Sequence, residues 1–186
     1  LPAEQAKTER YALAAGGYLE EKPEHMTHLH SDILVPKSHP RIQFRGKLDS
    51  LEAELLFAMA ELPVLAEPLG ELLTLTRKIL RCEVLEEALP PHNLGGLNTE
   101  ELRSHSHFPQ EYYGQPHFMP QPSDGRTILT LNRLRCAIRE TELFAAAAFP
   151  PKQGQPVRTD IQRALNRMSS FCYILMIREK AGNSNQ

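Results

Sequence analysis

From Phe44 to Leu62 the apolar residues Leu48, Leu51, Leu55, Met59 and Leu62 recur at steps of three and four. That spacing gathers them on one stripe of an α-helix. Pro63 ends the pattern. Leu69–Leu89 repeats it through Leu72, Leu73, Leu75, Ile79, Leu80, Val84 and Leu85 until Pro90-Pro91, where the missing N–H and the ring clash stop a helix. A short helix is expected over Thr99–His105, capped by Asn98 or Thr99, with two glutamates in its first turn. Two further long helices are expected over Thr127–Phe149 and Pro156–Glu179, divided by Pro150-Pro151 and Gly154. Between Phe108 and Gly125, four prolines and two glycines in eighteen residues predict a long loop, and loops of that length are usually functional or disordered.

The first 43 residues differ, with the Gly16-Gly17 break, Pro23, Pro36 and Pro40, and the histidines His25, His28, His30 and His39. They predict an irregular arm. No period-two run marks a strand, so the fold class is all-α, a helical bundle over residues 44–180 with an arm at 1–43 and a frayed tail at 181–186.

Composition narrows the partners. The chain has 186 residues, 41% of them hydrophobic, and 21 Lys and Arg against 23 Asp and Glu. This is enough apolar material for one packed domain. A formal net charge of -2 argues against bulk nucleic-acid or anionic-membrane binding, which needs a concentrated positive field. No run approaches about 18 apolar residues, and Leu1–Arg10 lacks the basic-then-apolar order of an export signal, so the chain reads as cytoplasmic. Cys82, Cys136 and Cys172 form no close pair and are expected to be buried thiols. His25, His28 and His30 are the candidate metal cluster, at a spacing that matches no strong zinc pattern. A GxxxxGK[ST] loop and a GxGxxG turn are both absent, which disfavours P-loop and Rossmann chemistry.

Charges enter one helical stripe. At about 100° per residue, Arg135, Arg139 and Glu142 fall within roughly 60° of one another and share a face with Ile128, Leu131 and Ile138. Leu134, Phe144 and Ala145–Ala148 take the other side. Two readings fit: an ion-pair ladder between Arg139 and Glu142 at i,i+3, or guanidinium groups awaiting a carboxylate or phosphate from outside the helix. In the final helix, Asn166, Ser169 and Tyr173 form a polar seam beside the stripe of Ile161, Leu165, Met168, Cys172, Leu175 and Met176. Asp49 stands at the first turn of the first helix.

Three of these stretches carry a family resemblance. Lys37-Ser38-His39-Pro40-Arg41-Ile42 with Gly46-Lys47-Leu48-Asp49-Ser50-Leu51 resembles the K-x-x-P-R-I…G-x-L-D-x-L segment of ATP:corrinoid adenosyltransferases. Arg135–Glu142 resembles the family's R-x-x-x-R-x-x-E, and Leu165-Asn166-Arg167-Met168-Ser169 its L-N-R-[LM]-S. The stretches Lys22–Leu29 and Asn132–Glu142 are similar to the ethanolamine-utilization branch.

The resemblance implies a five-helix bundle in a homo-oligomer, a trimer favoured over a dimer, with active sites between subunits. It implies transfer of the 5′-deoxyadenosyl group of ATP to the cobalt of cob(I)alamin, with Mg2+ accompanying ATP. The product would serve an adenosylcobalamin-dependent ethanolamine ammonia-lyase, in the cytoplasm or within a bacterial microcompartment. Thr27, Lys37 and Arg139 would contact the phosphates, Glu142 and Asn166 would orient the nucleotide, Asp49 would pair with Arg135 across the subunit boundary, and Arg167 would help hold the site. Phe118, just before Pro120, stands near the family's Phe-x-x-P and would keep the lower axial position of cobalt empty. His117 beside it brings an imidazole that could ligate cobalt. Two other classes remain open: a non-catalytic corrinoid carrier or chaperone, and a structural helical protein whose charged seam is an interface.

The chain also departs from the pattern. Where the ethanolamine branch carries a cysteine cluster, Tyr11–Gly17 has none, and Ala12 and Ala15 take the CxxC spacing, which leaves dependence on a further divalent metal open. Ser170 replaces a frequent Asp, and the wider family's glycine-rich N-terminal nucleotide loop is missing.

Overall fold

The computed structural model describes residues 11–184. Leu1–Arg10, read above for an export signal, and the last two residues of the tail lie outside them. The described chain is largely helical, with α1 at Pro40–Glu61, α2 at Ala66–Val84, α3 at Thr99–His107, α4 at Pro109–Tyr113, α5 at Gly125–Ala148 and α6 at Thr159–Ser184. Among the described residues six α-helices therefore appear where five were expected. The added one, α4, lies in the proline-rich loop: Pro109 occupies its first turn, where a missing N–H costs nothing, and Gly114 closes it in the left-handed conformation.

α1 begins four residues earlier than the apolar pattern suggested. Pro40 starts the helix rather than breaking it, and the Nδ1 of His39 caps the first turn by accepting from the Arg41 N–H at 3.2 Å. α6 carries on to Ser184, through most of the stretch expected to fray.

The bundle core is built from the expected stripes. Leu48, Leu51 and Leu55 of α1, Leu72 and Ile79 of α2, Ile128, Leu131 and Ile138 of α5, and Leu165, Met168 and Cys172 of α6 are all buried in one cluster. Phe44 near the start of α1 meets Phe149 at the end of α5 edge-on, centroids 6.0 Å apart. Arg126 at the start of α5 pairs with Glu61 at the end of α1, so these two helices run antiparallel.

The arm corrects the expectation of irregular chain without strands. It holds a four-stranded sheet of order β2-β1-β4-β3, with β1 at Tyr11–Leu13, β2 at Tyr18–Leu19, β3 at Met26–His30 and β4 at Ile33–Pro36. The Gly16-Gly17 break is the β1–β2 turn, at φ of +96° and +95°, which glycine adopts without steric cost. β1 and β4 pair in parallel, the other neighbours antiparallel. Strands of two to five residues are too short for alternation to show in sequence.

A buried ion cluster fastens this sheet to the bundle. Glu83 of α2 is fully buried, and its carboxylate accepts from the Nε of both Arg41 and Arg45. Arg45 also donates to the carbonyls of His28 and Leu29 in β3, at 3.3 and 2.6 Å, while Arg41 donates to the Glu83 carbonyl and to Glu86. Burial alone would lower the Arg41 pKa, but hydrogen bonds to Glu86 and Glu83 raise it overall. Carboxylate, guanidinium and strand carbonyls thus satisfy one another away from water.

Candidate functional site

Two adjoining clefts open along the α5–α6 seam and share Arg135, Arg139, Asn166 and Ser169. The larger has a volume of about 670 Å3 and extends to Glu142, Leu143 and Gln162. The smaller, about 290 Å3, extends to Ser106, His107, His117, Ser170 and Tyr173. The polar seam expected on the last helix forms one wall.

The charged residues of α5 edge the core rather than enter it. The buried face of that helix runs through Ile128, Leu131, Leu134, Ile138, Thr141 and Ala145, so Leu134 and Ala145, expected opposite, belong to the core. Arg135 and Glu142 are half-buried beside this face and Arg139 is exposed. The wheel placed the cluster correctly but centred the core stripe some tens of degrees away from its packed position.

Nor does the ion-pair ladder form. Glu142 accepts from the Asn166 amide at 3.2 Å, and Arg135 donates to Asn132 Oδ1 at 3.2 and 3.1 Å. Arg139 has no hydrogen bond or ion pair among the described residues, so its guanidinium faces the cleft unspent. Behind the wall, Arg167 donates to Asn166 Oδ1 at 2.6 Å and to the Thr99 carbonyl at 2.8 Å. Burial is the largest influence on Arg167 and lowers its pKa. It holds the Asn166 amide by its oxygen, which turns the nitrogen toward Glu142.

Other expected site residues stand elsewhere in a single chain. Thr27 is half-buried in β3, paired with Val35, and Lys37 follows β4 with an exposed side chain. Neither lines the α5–α6 clefts. Asp49 is exposed on α1, and within the chain Arg135 donates to Asn132 of its own helix. Phe118 is half-buried, its ring stacked on Tyr173 at 6.3 Å with the Lys180 ammonium 5.5 Å from its centroid. His117, one residue earlier, lies at the cleft wall.

Sequence reasoning missed the Glu83 cluster, although a glutamate between Ile79, Cys82 and Val84 in an apolar stripe was the available signal. It also missed the contribution of the α3 C-terminus, Ser106 and His107, which no local pattern reveals. Cys82 and Cys172 are buried as expected, with burial pushing the Cys172 thiol up to about 12, whereas Cys136 is exposed on the cleft wall.

Three of the arm's four histidines are engaged separately. His28 meets Tyr11 edge-on, His30 approaches Glu86 at 3.8 Å and His39 caps α1. Ala12 lies in β1 and Ala15 in the turn after it, neither offering a donor atom. Among the described residues no group of three or more His, Cys, Asp or Glu could hold a metal ion. Among the described residues the arm thus offers no donor set for a resident metal. No helix among them is long and apolar enough to cross a membrane.

Residues 17–179 match the cobalamin adenosyltransferase family. The chain is 39% identical over 158 residues to the corrinoid adenosyltransferase EutT of Salmonella typhimurium, and equally so to EutT of Escherichia coli K12, covering 84% of this chain in each case. It spans 59% of the length of these relatives. No solved structure matches it significantly. With the family's three motifs on α1, α5 and α6, and two of them meeting at one cleft, the chain belongs to the cobalamin adenosyltransferase family.

Proposed function

We propose that this chain transfers the 5′-deoxyadenosyl group of ATP to the cobalt of cob(I)alamin. The cobalt lone pair attacks C5′ of ATP, the Co–C bond forms, and the C5′–O bond breaks with its electron pair leaving on triphosphate. The observation that carries this reading is the convergence of Arg135, Arg139 and Asn166 on one cleft, with Arg139 unpaired among the described residues. Developing negative charge on the departing triphosphate is stabilised by cations already in place.

Glu142 and Asn166 orient the nucleotide as a hydrogen-bonded pair, and Arg167 positions Asn166. Arg139 contacts the phosphates, and Mg2+ enters with ATP. Thr27 and Lys37 sit on the arm at 1–43, away from this cleft, so they complete the phosphate site on a neighbouring copy, where Asp49 meets Arg135. This requires a homo-oligomer, trimeric or dimeric. Phe118 supplies the apolar wall beside the corrin and leaves the lower axial position of cobalt empty. An adenosylcobalamin-dependent lyase, ethanolamine ammonia-lyase, takes the product, in the cytoplasm or a bacterial microcompartment.

Incubating the purified chain with ATP, cobalamin and a strong reductant, and following the absorbance change to adenosylcobalamin, tests the reading. Light-sensitive product and stoichiometric triphosphate are expected. Corrinoid binding without turnover would instead make the protein a carrier, and no binding would leave the seam as an interface.

A further inference from the structure

His117 presents an imidazole to the cleft wall, and a free imidazole nitrogen is a good cobalt ligand. Both of its nitrogens are occupied. Nε2 lies 3.0 Å from the His107 carbonyl, which can only accept, so Nε2 carries the proton and donates. In the neutral ring Nδ1 is then the acceptor, and the Tyr173 hydroxyl lies 3.1 Å from it. The Tyr173 oxygen in turn accepts from the Phe118 backbone N–H at 3.3 Å. The imidazole and phenol rings stack at 5.7 Å with planes 12° apart, a separation at which offset aromatic pairs attract. Were the ring protonated, both nitrogens would carry hydrogens and the conclusion would stand: no lone pair is free.

We infer that Tyr173 is a positioning residue that masks His117, holding its imidazole in the Nε2–H tautomer with Nδ1 capped so that it cannot ligate the corrin cobalt. The inference rests on the proposed function, which brings a corrinoid to this wall. The chemical reason is direct. An axial nitrogen donor raises the cobalt orbital that must accept the electron, so a ligated cob(II) corrinoid is harder to reduce to cob(I) than an unligated one. A loop that lies along the corrin and contains a histidine therefore needs that histidine's lone pair engaged. α6 supplies the cap from a helix whose neighbouring residues Cys172, Ile174 and Met176 are fully buried, and a hydroxyl carried on such a rigid element holds its geometry.

The test uses cob(II)inamide, which lacks a nucleotide-loop nitrogen, so that any nitrogen coupling must come from the protein. Wild-type protein with ATP and bound cob(II)inamide is expected to give an electron paramagnetic resonance spectrum without nitrogen splitting of the cobalt lines. Tyr173→Phe keeps the ring but removes the cap and should introduce a three-line nitrogen splitting, which Tyr173→Phe combined with His117→Ala should abolish. An unsplit Tyr173→Phe spectrum with cobinamide bound, or a wild-type spectrum already split through His117, would overturn the inference. Long-range 1H–15N correlation on wild-type protein, with His117→Gln for assignment, reads the tautomer without relying on Tyr173→Phe folding. A proton residing on Nδ1 of a neutral ring would equally overturn it. If wild-type protein binds no cobinamide at all, the functional reading falls and the masking role with it, whereas a split Tyr173→Phe spectrum keeps the first and supports the second.

Discussion

Replacing Glu83 with alanine should cost more stability than almost any other single truncation in this protein. Its side chain has 0% exposure, while those of Arg41 and Arg45 retain 14% and 16%. Removing the carboxylate leaves two guanidinium groups side by side, with Glu86 and the main-chain carbonyl of residue 83 on Arg41 and strand carbonyls on Arg45 as their remaining partners. Breaking a buried ion pair from one side costs about 3–5 kcal/mol, against a total stability on the order of 5–15 kcal/mol. Glu83→Gln keeps the volume and one acceptor, and should lose about 1.5–3 kcal/mol, the worth of hydrogen bonds to charged groups. Urea unfolding followed by circular dichroism reads both values from the midpoint at constant slope. The same variants should release the sheet, so limited proteolysis is expected to cut near residues 14–24 before the bundle unfolds. If Glu83→Ala changed stability by under about 1 kcal/mol, the cluster would be surface-like in energy, and the claim that it docks the sheet would be wrong.

Arg139→Ala should lower the adenosylation kcat/KM for ATP at least tenfold, about 1.4 kcal/mol, with little change in melting temperature because the side chain has no hydrogen bond or ion pair among the described residues; wild-type kinetics would remove its phosphate role. Asp49→Ala and Arg135→Ala should be non-additive in a double-mutant cycle on activity, and additive losses would show that they act separately. His92 is held below its ordinary value of 6.5 by burial, which outweighs the opposing pull of the Pro90 carbonyl. The folded state thus binds fewer protons there than the unfolded one, so the stability tied to a neutral His92 is present above pH 6.5 and lost as pH falls through the lowered pKa; His92→Leu should flatten the stability difference between pH 7.5 and 5.5 measured by urea unfolding, and an unchanged difference would clear His92. Gly95→Ala puts a Cβ 2.6 Å from the ring of Phe171, which is fully buried, at a φ of +58°; left-handed strain and overpacking together should cost about 2–4 kcal/mol, and a loss under about 0.5 kcal/mol would show that the loop shifts freely.

The four long helices were legible in sequence because each buries one stripe, and a stripe at 3.6-residue spacing is a local property of the chain. The residues of the candidate site were legible for a related reason: Arg135, Arg139, Glu142 and Asn166 are polar groups at the margin of such stripes, and their motifs are contiguous. Sequence periodicity could not fix the rotation of α5 by the few tens of degrees that moved Arg139 from core to cleft, because packing against α1 and α6 sets that angle. It could not show the sheet, whose strands are two to five residues long and are held by pairing across the arm and by Arg45 from α1. The Glu83 cluster joins residues about forty positions apart, and the Tyr173–His117 pair joins residues 56 apart. Contacts of that kind exist only once the chain has closed on itself, which is why composition and spacing reported the types of residue present while the tertiary structure decided which of them meet.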